Sequence, residues 1–145
     1  MRKTTRAIIM KKGKLLLARR KKSDTGGGMW QFLGGGLDNQ KPADALRREV
    51  KEEANLNILS MKSRFININK EFNTKTHYFD VVATGKPKFQ KKELSGLRWF
   101  TFGQAKRLPL THSAKKVIKT VERAYEKKKY PLVSTKTQLN NSLIK

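Results

Sequence analysis

Glu49, Glu52 and Glu53 fall within five positions of a chain that has only 11 acidic residues against 34 lysines and arginines. At this spacing (i, i+3, i+4) a helix carries all three carboxylates on one face. Leu46, Val50 and Ala54 recur every fourth residue beside them and mark a stripe that turns toward a core. The carboxylates therefore sit at the margin of a buried face, where like charges destabilise a helix by a few tenths of a kcal/mol per pair. A divalent cation removes that repulsion. Hard oxygen donors of this kind suit Mg²⁺ or Mn²⁺, which also bind substrate phosphates. The plainer alternative is a solvated face on which Arg47, Arg48 and Lys51 supply the counter-charges.

The elements that must position these groups are legible on either side. Pro42 suits the first turn of a helix, which the pattern predicts from about Pro42 to Ala54. Ahead of it, WQF is predicted as a short strand and LGGGLDNQK as a loop. TRAIIM and KLLLARR are predicted strands joined by the tight turn KKG. LNILSM and RFININ are predicted as two strands, followed by a turn at NTK and a long alternating strand, THYFDVVAT. LRWFTF is predicted as the last strand, with a short helix over GQAKRL. SAKKVIKTVERAYEKKK is a predicted helix capped by Ser113, with Val117, Ile118, Val121, Ala124 and Tyr125 forming its apolar stripe.

At 145 residues the chain is predicted to form one domain over residues 1–130, followed by a polar tail over 131–145. The absence of cysteine excludes disulfides, thiolate metal sites and cysteine nucleophiles. No run of about 18 apolar residues exists to span a membrane. The apolar stretch AIIM is too short for a secretory signal, so residence in the cytoplasm is expected. The formal charge of +23 attracts polyanions such as nucleotides, RNA or anionic membrane surfaces, or reflects composition alone. His77 and His112 lack metal-ligand spacing, and Trp30 and Trp99 are expected to pack in the core.

Read from Gly34, the segment runs G-x5-Q-x7-R-E-V-x-E-E-x-N-L. It resembles the Nudix box, G-x5-E-x7-R-E-U-x-E-E-x-G-U, where U is a bulky aliphatic residue. Gly34, Arg48, Glu49, Val50, Glu52, Glu53 and Leu56 match. Gln40 stands where the pattern has glutamate, and Asn55 where it has glycine. WQFLGG likewise resembles the family's W-x-F-P-G-G, with Leu33 in place of proline. The Asn55 departure is mild if the residue ends the helix in a left-handed conformation, where Asn is the best substitute for Gly. Gln40 brings no charge. Alignment from WQFLGG leaves the loop one residue short, which makes Asp38 an alternative carboxylate.

The resemblance implies a Nudix α/β/α sandwich, with a mixed β-sheet between helices. It implies Mg²⁺- or Mn²⁺-dependent hydrolysis of the diphosphate linkage of a nucleoside diphosphate derivative. Carried over by position, Glu49, Glu52 and Glu53 are metal ligands, joined by the Gly34 carbonyl and by Gln40 as a weakened ligand. Arg48 orients Glu49. Glu93, six residues before Trp99, is the expected general base or further ligand. Arg20, twelve residues before Phe32, is the expected phosphate contact, with Arg19 on the opposite face of the strand. The spacing resembles the MutT-like branch that hydrolyses (deoxy)nucleoside triphosphates, oxidised ones included. The alternatives are an ADP-ribose or nucleotide-sugar pyrophosphatase, an RNA 5′-end pyrophosphohydrolase, and a catalytically weakened nucleotide- or RNA-binding domain.

Overall fold

The computed structural model describes residues 1–22, 27–90 and 92–129. Its central strand is β1 (Arg2–Lys11), which turns through Lys12 and Gly13, both at positive φ, into β2 (Lys14–Arg20). The predicted strand WQF and the start of the glycine loop are rearranged into two short strands. β3 (Trp30–Gln31) pairs antiparallel with β2, and β4 (Leu33–Gly36) pairs antiparallel with β1. Phe32 is the point where the chain leaves one partner for the other. The glycine run is thus partly strand, with Gly34 opposite Arg6 and Gly36 opposite Thr4.

Helix α1 spans Pro42–Ala54, as the sequence predicts. Lys41 precedes it in an extended conformation and Pro42 occupies the first turn. Asn55 closes it in the left-handed region, with its N–H donating to the Lys51 carbonyl. The two strands predicted within residues 56–69 are one, β5 (Asn57–Asn69). It pairs antiparallel with β6 (Thr74–Thr84) along its whole length, and irregularities at Ile58/Ser60 and Ser63/Phe65 absorb the breaks in its alternation. β7 (Leu94–Phe100) adds to β2.

Helix α2 (Phe102–Lys106) begins with a capping box between Thr101 and Gln104. Helix α3 (His112–Lys129) is capped by Thr111 rather than Ser113. The Thr111 hydroxyl accepts from the Ala114 N–H at 3.3 Å, and Ser113 lies inside the first turn. The predicted tail over residues 131–145 lies outside the described residues.

The sheet is mixed, in the order β3-β2-β1-β6-β5, with β4 also on β1 and β7 also on β2, and β1 runs parallel to β6. Alternation along β1 splits the core in two. Ala7 and Ile9 pack with Leu46, Val50 and Ala54 of α1. Ile8 packs with Val117, Ile118 and Val121 of α3. Helices therefore cover both faces, giving the α/β/α sandwich.

Candidate active site

The site is built around an unusually close approach of α1 to β4. Gly34 has φ of +146°, and a Cβ there would run into the Thr5 carbonyl oxygen of β1. A Cβ on Gly35 would stand 2.7 Å from the Glu49 carboxyl carbon, so this glycine leaves the space that the Glu49 side chain fills.

The four carboxylates have different surroundings. Glu53 is only 6% exposed, and its Oε1 accepts from the Gly34 N–H at 2.9 Å. Burial pushes its pKa up to about 7, against the pull of Arg6 and of the Gly34 N–H, with Glu49 and Glu93 adding to the rise. Glu49 is half-buried and is also raised by burial. Arg48 opposes that shift, and Glu52 and Glu93 reinforce it. Glu52 and Glu93 are exposed. Glu93 is brought close by the loop after β6, which docks on the end of α1. There the Lys88 N–H donates to the Ala54 carbonyl at 2.9 Å and the Gln90 N–H donates to the Glu53 carbonyl at 3.1 Å. The influence of Glu93 on both Glu49 and Glu53 places it in the same electrostatic cluster.

Arg48 is held by four groups. Its Nε donates to Gln40 Oε1 at 2.7 Å, Nη1 to Asp38 Oδ2 at 3.1 Å, and Nη2 to the Gly36 carbonyl at 3.1 Å. Nη1 also lies 3.4 Å from Glu49 Oε1. The sequence placed Gln40 among the metal ligands, with Asp38 as its alternative. In the structure the acceptor atoms of both are turned to Arg48. The Gly34 carbonyl, also placed among the ligands, accepts from Arg6 Nη1 at 3.0 Å.

Arg6 was missed by the sequence reading, although a charge in the middle of TRAIIM, among residues that pack, was the signal. Its Nη1 also donates to the Phe32 carbonyl at 3.1 Å. Burial lowers its pKa and Glu53 opposes that shift, so the two charges sense one another through the Gly34 peptide. Arg6 lies on the α3 side of the sheet, in the wall of a cavity of about 600 Å³ that Arg2, Arg20, Gln31, Tyr78 and His112 also line. Among the described residues no acid lines it.

Among the described residues the buried Arg20 Nε has no hydrogen-bond partner, whereas Arg19 turns to the other face, where its Nε donates to the Ser95 hydroxyl at 3.0 Å and its guanidinium covers Trp30. The structure thus brings Arg20 to Arg6 and the cavity. His77 shares a hydrogen bond with Ser63 and stacks on Phe79, away from this site. Trp30 is buried and Trp99 packs against the core, as expected.

The donor set fits a hard divalent cation. Glu49, Glu52, Glu53 and Glu93 are mutually repelling oxygen donors, and two of them are held in a surround that disfavours their charge. Among the described residues no three acidic or histidine side chains are already drawn together around one point.

A family model described as the NUDIX domain matches residues 1–121. No curated protein matches the chain. Solved structures do. A MutT NUDIX hydrolase from Burkholderia pseudomallei superposes with a TM-score of 0.74 at 23% identity, covering 83% of this chain and 97% of that one. The E. coli ORF135 protein superposes with a TM-score of 0.74 at 22% identity, covering 90% and 94%. An ADP-ribose pyrophosphatase from Streptococcus suis gives 0.64 at 22%, covering 84% and 92%. At these identities the likeness is one of fold. No helix among the described residues is long and apolar enough to cross a membrane.

Proposed function

The chain belongs to the NUDIX family, and on that premise we propose that it hydrolyses the diphosphate linkage of a (deoxy)nucleoside triphosphate with Mg²⁺ or Mn²⁺. The observation that carries this reading is the pairing of two unlike surfaces across the Gly34 peptide. On one side stand Glu49, Glu52 and Glu53 of α1, with Glu93 of the loop before β7 near enough to raise the pKa of Glu49 and Glu53. On the other lies a cavity of about 600 Å³ that, among the described residues, is lined by three arginines and no acid.

Glu49, Glu52 and Glu53 would hold the cation. When bound, it supplies neutralisation of the diphosphate oxygens and a more acidic water. The chain's own residues do the rest. Arg20, whose Nε has no acceptor among the described residues, takes a phosphate oxygen at the cavity wall, and Arg2 and Arg6 add positive potential there. Arg48, locked by Gln40, Asp38 and Gly36, fixes the orientation of Glu49. The Gly34 N–H holds Glu53 against the strand. Glu93, exposed and near both, accepts the proton of the attacking water.

The triphosphate class is supported by the placement of Arg20 in the cavity, twelve residues before Phe32. It is also supported by a solved relative named as a MutT hydrolase. With Gln40 bracing Arg48, the loss of a glutamate at that position leaves the four carboxylates complete. This favours an active enzyme over a binding module.

A phosphate-release screen tests the proposal. Mg²⁺ or Mn²⁺ would be supplied with nucleoside triphosphates, ADP-ribose, nucleotide sugars, dinucleoside polyphosphates and 5′-triphosphate RNA. Turnover is expected to be fastest on a nucleoside triphosphate and abolished by chelator. Faster turnover of ADP-ribose or of capless RNA would move the assignment to that class, and no turnover of any substrate would refute catalysis.

A further inference from the structure

Helix α3 carries a second concentration of charge, opposite in sign to that of α1 and on the other side of the sheet. Lys115, Lys116, Lys119, Arg123 and Lys127 are all exposed. Lys116, Lys119, Arg123 and Lys127 follow the i, i+3, i+7, i+11 spacing of one helical face. A cation therefore recurs about once per turn over roughly 16 Å.

A helix face that only meets water usually interleaves acids and bases four residues apart. On this one Lys115–Lys119, Lys119–Arg123 and Arg123–Lys127 are successive like-charged pairs, and exposed Glu126 is the one acid set among them. Ion pairs among the described residues leave these side chains out, and Glu122, which could have offset them, is held by Lys106 at 2.9 Å. Lys115 and Lys116 also lie near the start of α3, whose first turn has no acid and where the helix dipole favours anions. The turn between β1 and β2 adds further lysines on the side of α3 that Tyr125 occupies. A Cβ on Gly13 would stand 3.3 Å from the Tyr125 hydroxyl, so exposed Lys11, Lys12 and Lys14 sit beside the C-terminal half of the helix.

The partner that fits is a flexible chain of negative charges. α3 presents no exposed large apolar residue, so it has nothing to insert into lipid. The file is one helix wide, which suits the phosphates of one strand. We propose that this face binds the backbone of a single-stranded nucleic acid, without reading bases and apart from the α1 carboxylates.

The test uses a fluorescent 5′-hydroxyl oligouridylate, which has no terminal phosphate to engage the hydrolytic site. Binding is measured against salt for the wild type and for the Lys116→Gln/Lys119→Gln/Arg123→Gln/Lys127→Gln variant. A control variant, Lys62→Gln/Lys70→Gln/Lys75→Gln/Lys86→Gln, removes the same net charge from exposed positions of β5, β6 and their loops. The α3 variant is expected to bind about tenfold or more weakly at low salt. Its plot of log affinity against log salt should be shallower by roughly 3, from four contacts at about 0.7 each. The control should change far less. Equal losses in both variants would reduce the effect to net charge and overturn the proposal. So would an unchanged slope, or loss of binding to phosphatidylserine vesicles but not to RNA. Two half-variants, one at Lys116 and Lys119 and one at Arg123 and Lys127, should each give about half the slope change, which keeps the test open if the quadruple variant unfolds.

Discussion

Arg6 and Glu53 lie on opposite sides of the sheet and are joined through one peptide. The Gly34 N–H donates to Glu53 Oε1 at 2.9 Å, and the Gly34 carbonyl accepts from Arg6 Nη1 at 3.0 Å. A carboxylate on the metal side and a guanidinium on the cavity side therefore polarise the same backbone unit. Replacing Arg6 with Met should cost about 2–4 kcal/mol, because two carbonyls lose their donor and Glu53 loses its opposing charge. In a double-mutant cycle with Glu53→Gln, urea unfolding should show coupling on the order of 1 kcal/mol. Strict additivity would mean that the two residues act independently.

Glu53 should also make the metal-free protein less stable as pH rises. Its folded-state pKa of about 7 stands above the ordinary value of 4.5, so the folded state holds a proton that the unfolded chain has released between those values. The stability this group contributes is complete below about pH 4.5 and is lost as pH rises through 7. The span is on the order of a few kcal/mol. Unfolding curves from pH 4.5 to 8, compared with Glu53→Gln, isolate it. A difference between the two proteins that does not vary with pH would contradict the raised pKa.

The Glu52→Gln and Glu53→Gln variants should stay folded and lose hydrolysis on the order of a thousandfold or more, since each removes a donor from the cation. Melting temperature without metal should hold or rise, because a repulsion is removed. Retention of more than about a third of wild-type turnover by either variant would sink the assignment of that residue.

Glu93→Gln separates a proton acceptor from a further ligand. As a base, its loss should lower kcat roughly 10²–10⁴-fold and flatten the acidic limb of the pH–rate profile, with the Mg²⁺ requirement unchanged. A shifted Mg²⁺ titration with an intact pH profile would make it a ligand instead.

Gln40→Glu is expected to add a partly exposed ion pair with Arg48, worth up to about 1 kcal/mol, and to leave half-maximal Mg²⁺ within about threefold of wild type. A tenfold tightening would show that this side chain reaches the cation. Asp38→Asn should likewise leave the Mg²⁺ titration near that of wild type, while removing an ion pair instead of adding one, because its carboxylate meets Arg48.

The sequence by itself determined the helix that carries the carboxylates and how that helix ends. The i, i+3, i+4 spacing, Pro42 at the start and Asn55 at the close are local features, and each depends on backbone geometry within one or two turns. Alternation in β1, β2 and β6 was local in the same way. What tertiary structure decided is where long-range partners meet. The glycine run became strand β4 because β1 offered it an edge, and β5 became one strand because β6 paired with all of it. Gln40 and Asp38 turned to Arg48 because the fold carries that guanidinium into their loop. The raised pKa of Glu53 and the clustering of Arg6 with Arg20 likewise required chain segments far apart in sequence. Burial and Coulomb interaction act through distance in space, and spacing along the chain does not encode that distance.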